Sequence, residues 1–170
     1  IMLLPFFAHS QSYHSYLDNP VFQRLNDDDG LSQGTINVIV QDEKGFIWIG
    51  TNDGLNRYDG YEFIVFKNNL NDSTTIISNS IKDILIDERG IFWIATDKGL
   101  NKFNPATGKF SLVKIKQANH NTSITSLAFG EDRQLWIGTI NSGLIRLNTS
   151  TNEYEVYYPN SSNQESLLSK

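Results

Sequence analysis

The chain of 170 residues contains no cysteine. That excludes a disulfide framework, a catalytic thiol and any cysteine-ligated metal, and it is compatible with a bacterial periplasm. Histidine is scarce as well. Of the three present, His9 and His14 lie in the N-terminal lead-in and His120 in an Asn-rich polar stretch, where a solvated side chain is the ordinary outcome. No Lys/Arg cluster stands out, and 14 basic against 19 acidic residues leave a net charge of -5. Such a balance argues against a nucleic-acid backbone or an anionic membrane surface as the main partner. No run approaches the ~20 apolar residues of a membrane-spanning helix. No 3.6-residue periodicity is present either, which removes helical arrays. With 39% hydrophobic and 12% aromatic residues, wholesale disorder is excluded too.

What is present is repetition. Asp42-Glu-Lys-Gly-Phe-Ile-Trp-Ile-Gly-Thr51 returns as Asp87-Glu-Arg-Gly-Ile-Phe-Trp-Ile-Ala-Thr96 and again as Glu131-Asp-Arg-Gln-Leu-Trp-Ile-Gly-Thr139. Gly54-Leu55, Gly99-Leu100 and Gly143-Leu144 follow the copies, and Trp48, Trp93 and Trp136 are spaced by 45 and 43 residues. A period of this length marks a repeat architecture.

Each unit reads as four short strands, in the first copy Ile36 to Gln41, Phe46 to Thr51, Leu55 to Tyr58 and Phe63 to Lys67. We call them A to D. The A–B and B–C turns carry glycine for a positive φ and Asp or Asn for local backbone bonds, so Asp42 and Asp87 read as turn formers. The B strands are apolar without alternation, as expected when both sheet faces are covered. Four antiparallel strands per unit, covered on both sides and repeated in series, give an all-β fold: three β-propeller blades in an open arc. Trp48, Trp93 and Trp136 are the expected core plugs between blades.

The ends extend this division. Residues 1–12 begin with an apolar run and turn polar at Ala8-His9-Ser10, which reads as a truncated signal peptide. Residues 13–35 form a lead-in in which Val21 to Leu25 resembles an outer D strand, of the kind that closes a propeller ring. Blade 1 and its connection take 36–78, blade 2 and its connection 79–121, blade 3 122–158. Ser162 to Ser169 echoes Asn71 to Ser78, so 159–170 reads as the start of a fourth repeat and the chain as a fragment.

No catalytic residue and no cofactor or metal is expected. Asp27-Asp28-Asp29-Gly30 fails the EF-hand spacing, since Leu25 and Ile36 stand where ligands would be needed. The acidic turns differ from the Asp-box of sialidases, whose opening Ser is absent. Ligand contacts are left to the polar B–C loops: Asn52, Asp53, Asp97, Lys98, Asn141 and Ser142 are the candidates. The D–A loops Asn68 to Thr75 and Gln117 to Thr122 share their rim.

The pattern Leu31-Ser-Gln-Gly-Thr-Ile36 through Tyr58, and Ile77-Ser-Asn-Ser-Ile81 through Phe103, resembles the two-component regulator propeller repeat. The third copy departs from it, with Gly130 for the Asp, Arg133-Gln134 at the glycine turn and an extra residue at Asn141-Ser142. The resemblance implies the N-terminal, periplasmic sensor part of a Bacteroidetes-type hybrid sensor histidine kinase, held at the inner membrane by a helix outside this chain. Kinase chemistry would lie outside it too. It also implies an oligosaccharide or other small periplasmic ligand, further propeller blades of the parent chain and a receptor homodimer as partners. A secreted propeller enzyme acting on glycans and a protein-binding propeller scaffold are the alternatives.

Overall fold

The structure, a computed structural model, describes residues 24–115 and 122–158. The expected leader, the residues up to Gln23 of the expected outer strand, His120 and the expected start of a fourth repeat lie outside the described residues. The described part holds twelve strands and one 3-10 turn at Asp27–Asp29, capped by Asn26.

The strands form three separate four-stranded antiparallel sheets, each a simple meander. The first is β1 (Ile36–Gln41), β2 (Ile47–Thr51), β3 (Leu55–Tyr58) and β4 (Phe63–Phe66). The second is β5 (Ile81–Ile86), β6 (Phe92–Thr96), β7 (Gly99–Asn104) and β8 (Lys109–Val113). The third is β9 (Ile124–Phe129), β10 (Gln134–Thr139), β11 (Leu144–Asn148) and β12 (Tyr154–Tyr157). These are the expected A to D strands, with the first B strand starting at Ile47 and the first D strand ending at Phe66.

Register explains how the blades stack. Val40, Trp48 and Arg57 face the same way, as do Val38, Gly50, Leu55 and Phe66. This face meets Ile84, Ile94, Ile86, Phe92, Phe103 and Phe110, the near face of the second blade, in one buried cluster. The far face of the second blade carries Trp93, Ala95, Leu100 and Val113 and meets Leu127, Ile137, Ile145, Leu135 and Leu147 of the third. The Trp faces of the first two blades therefore dock on the near face of the next blade, which is largely aromatic in the second blade and aliphatic in the third. Trp48 lies within ring-contact distance of Phe66, Phe92 and Phe103, at 5.7, 4.7 and 5.4 Å between centroids.

Small residues set the spacing. A Cβ on Gly50 would lie 2.6 Å from Ile81 Cγ2 and 2.7 Å from Val38 Cγ1, so the first B strand approaches the next blade through the missing side chain. The A strands of neighbouring blades are also tied directly. Asn37 Nδ2 donates to the Ile81 carbonyl at 2.6 Å, and Leu127 N donates to Asp83 Oδ2 at 2.7 Å. Each A strand has a register irregularity after its first residue, at Ile36/Val38, Ile81/Asp83 and opposite Gly138/Thr139. A bulge there re-aims the side chains on the bulged strand.

The core expectation needs one correction. Trp48 and Trp93 are buried, at 1% and 0% exposure, but Trp136 is only partly covered. Its face, with Arg146, Glu155 and Tyr157, is the last in the series, and among the described residues no further sheet packs against it. The same reason leaves Ile39 at 60% exposure on the free face of the first blade.

Candidate functional site

Four antiparallel strands per blade place the B–C and D–A connections at one end of the stack and the A–B and C–D turns at the other. The two ends differ in chemistry.

At the B–C end, the threonine that recurs in each unit pins the turn. Thr51, Thr96 and Thr139 donate through Oγ1 to the carbonyls of Gly54, Gly99 and Gly143, at 3.1, 2.8 and 2.6 Å. Each Oγ1 also accepts a backbone N–H, from Asp53, Lys98 and Ser142 respectively. A second layer ties the incoming D–A segment to the blade. Asn56 Oδ1 accepts from Ser32 N at 2.8 Å, and Asn101 Oδ1 accepts from Ile77 N at 3.1 Å. Both asparagines are buried, so these bonds satisfy amide groups that would otherwise cost about 1–3 kcal/mol each. In the third blade the position is Ile145, which is buried in the apolar cluster instead.

The candidate rim residues fall inside this lattice. Asn52 Oδ1 accepts from Asn37 Nδ2 at 2.9 Å and from Lys82 Nζ at 3.3 Å. Asp53 pairs with Lys67 Nζ at 2.7 Å and accepts from Asn79 Nδ2 at 3.4 Å. Asp97 accepts from Ser78 Oγ, and Ser142 Oγ shares a hydrogen bond with Thr122 Oγ1. Lys98 and Asn141 are exposed. Four of the six candidates are thus hydrogen-bonded or ion-paired to neighbouring side chains of the rim. Of the D–A loops, Asn68 to Thr75 is closed by its own side chains, with Asn68 Nδ2 on the Ile76 carbonyl and Asp72 on Thr74. Gln117 to Asn121 lies outside the described residues.

At the A–B end, Asp42 and Asp87 do more than form turns. Oδ1 of each accepts two backbone N–H groups, and Oδ2 accepts the indole N–H of the blade's own tryptophan, Trp48 at 2.8 Å and Trp93 at 3.2 Å. Their spacing six residues before each tryptophan, absent in the third copy, was the available signal for this bond. Burial opposes ionisation of Asp87, but the Arg89 guanidinium and the bonds from Ile91 N and Trp93 outweigh it and hold the carboxyl below its usual value. A cation packs on two of the tryptophans: Lys102 Nζ lies 4.3 Å from the Trp93 ring centre, and Arg146 packs over Trp136 at 5.9 Å, whereas Arg57, paired with Trp48, packs over Phe46. Burial lowers the Lys102 pKa, aided by Arg89, while Asp87 opposes the shift.

Clefts open between successive blades at this end. One of about 450 Å³ separates the second and third blades and is lined by Ile86, Arg89, Phe129, Glu131, Arg133 and Thr149 among others. Its counterpart between the first and second blades, beside Lys44, Arg89 and Pro105, is about 230 Å³. A shallow depression on the free face of the third blade lies beside Arg146, where Glu155 pairs with the guanidinium at 2.7 Å. Among the described residues no group of His, Asp and Glu could hold a metal ion.

Serially stacked four-stranded meanders with a tryptophan plug at each internal junction define the class: β-propeller blades. Residues 30–53 and 75–98, which span the A and B strands of the first two blades, match the model of the two component regulator propeller family. Over 69 residues the chain is 41% identical to Histidine kinase P4 of Formosa agariphila, covering 41% of this chain and 5% of that protein. Two structures of the extracellular domain of BT4673 from B. thetaiotaomicron are similar at 29% identity, over 82% of this chain and 18% of theirs. One is described as part of a one component system, with a TM-score of 0.69. The other is described as part of a hybrid two component system, with a TM-score of 0.68. The extracellular domain of the hybrid two component system BT3049 from the same organism shares the fold at 21% identity and a TM-score of 0.51, over 80% of this chain and 26% of that one. The chain therefore spans a small part of the length of the proteins it matches.

Proposed function

We propose that this chain is a ligand-sensing propeller module from the periplasmic part of a two-component signalling receptor, and that its inducer is a carbohydrate. The observation that carries the reading is the pairing of two regulator-type repeats with blades superposable on extracellular domains of bacterial signalling systems. The module contributes a rigid stack that presents polar loops; turnover resides in a kinase elsewhere in the parent protein. No described helix is long and apolar enough to cross a membrane, so in this reading the anchor is supplied by another segment. Further blades cover the free faces, the receptor works as a homodimer, and nucleic acid is contacted only by other parts of the system.

Fold-level likeness alone does not give function, and the test is made on the whole receptor. A reporter for its output, measured in cells exposed to defined oligosaccharides alongside receptor abundance, should respond to one glycan class. A panel with no response at normal abundance contradicts carbohydrate sensing.

A further inference from the structure

The three blades are a built-in comparison, because positions that serve only the fold should carry the same residue types in each. The third blade departs from the other two at several positions that converge on one place. In the last pair of the A–B register, Gln41 and Ile86 become Phe129, a residue 42% exposed. Asp42 and Asp87, which bind their own tryptophans, become Gly130, where a Cβ would stand 2.8 Å from the Trp136 indole nitrogen. Gly45 and Gly90, at φ 87 and 71, become Arg133, which keeps a left-handed φ of 61 beside Asp132 at 51.

A left-handed φ at two consecutive non-glycine residues is unfavourable. The neighbouring chain enforces it: the Arg133 carbonyl accepts both Thr149 N at 2.9 Å and Thr149 Oγ1 at 3.0 Å, and Thr149 is buried. The turn bond shifts accordingly, from Gly45 N on Asp42 O in the first blade to Gln134 N on Glu131 O in the third. These substituted residues line the 450 Å³ cleft against Ile86 and Arg89 of the second blade.

We propose that this cleft is a glycan-binding site, with Phe129 as the platform for the apolar face of a sugar ring and Arg89, Glu131 and Arg133 as partners for its hydroxyl groups. The proposal rests on the carbohydrate-sensing reading and deepens it. The volume lies within the ~300–1,000 Å³ of small-molecule sites, which combine an apolar surface with a few placed polar groups. A hydroxyl both donates and accepts, and the cleft offers guanidinium donors beside carboxylate acceptors. Glu88, Glu131 and Asp132 disfavour a phosphate or another strong anion in the same space.

The test uses the full-length receptor, a glycan array of neutral and acidic oligosaccharides, and calorimetry with any oligosaccharide retained. Phe129→Ala removes a half-exposed ring, and Arg133→Gly relieves the left-handed backbone, so both variants should fold. Each should weaken binding about fivefold or more, the scale of a lost aromatic contact or charged hydrogen bond. Binding unchanged in both variants but reduced by Asn141→Ala on the opposite end overturns the cleft assignment and leaves carbohydrate sensing standing. Binding unchanged in all three overturns it equally. An array with no retained glycan, in a receptor that folds, removes the sensing reading and this proposal together.

Discussion

Three tryptophans at one repeat position in three environments allow a controlled substitution series. Trp93 is fully buried between the second and third blades among Leu135, Ile137 and Leu147, donates to Asp87 and carries Lys102 on its ring. Truncation to alanine leaves a cavity with a cost of about 3–5 kcal/mol. Small domains are stable by only about 5–15 kcal/mol, and an arc with two free sheet faces belongs at the low end. Trp93→Ala should therefore keep only about 0–2 kcal/mol of stability at 25 °C and unfold at a far lower urea concentration. Trp136, open to solvent on one side at the free face, should cost less, about 1–3 kcal/mol, in proportion to the smaller apolar area it removes from water. Trp48, packed against three phenylalanines, should behave like Trp93. Urea unfolding followed by far-UV circular dichroism reads all three. Equal losses at Trp93 and Trp136, or a larger loss at Trp136, would refute the stacking order.

Gly50→Ala should destabilise by about 1–3 kcal/mol through overpacking against Ile81 and Val38, read as a lower urea midpoint with an unchanged slope. The depressed Asp87 carboxyl stabilises the fold above the unfolded carboxylate pKa of about 3.9, and that stability is lost as pH falls through the lower folded value. The urea midpoint should thus be flat from about pH 7 to 5 and drop below about pH 4, and Asp87→Asn should flatten the drop. The 170-residue chain should associate, because the Ile39 face and the Trp136 face are both partly uncovered; sedimentation that shows a clean monomer at all concentrations contradicts this.

Strand positions were legible because glycine and Asp or Asn punctuate short apolar runs, and Ile36 to Gln41 and Leu55 to Tyr58 appear with those bounds. Stacking was legible from the non-alternating B strands. The partial exposure of Trp136 was not, since a residue's motif says nothing about whether the next blade is at hand. Nor did the sequence show which polar loop residues are bonded to neighbouring side chains of the rim. Asn52, Asp53, Asp97 and Ser142 look like solvated loop residues until the bonds from Lys82, Lys67, Ser78 and Thr122 are seen. The A–B end was overlooked because its acidic turns satisfy a local structural role, and the cleft depends on how two blades face each other. The substitutions at Gly130 and Arg133 were visible departures, but only the fold places them together beside the cleft, with Arg133 left-handed and pinned by Thr149.

The most direct test of the account is calorimetry of the intact receptor with an inducing oligosaccharide, followed by analysis of the recovered glycan. Sensing predicts saturable binding with the glycan returned unchanged. A glycan cleaved or eliminated at a rate abolished by one loop substitution would make this propeller an enzyme and contradict the account.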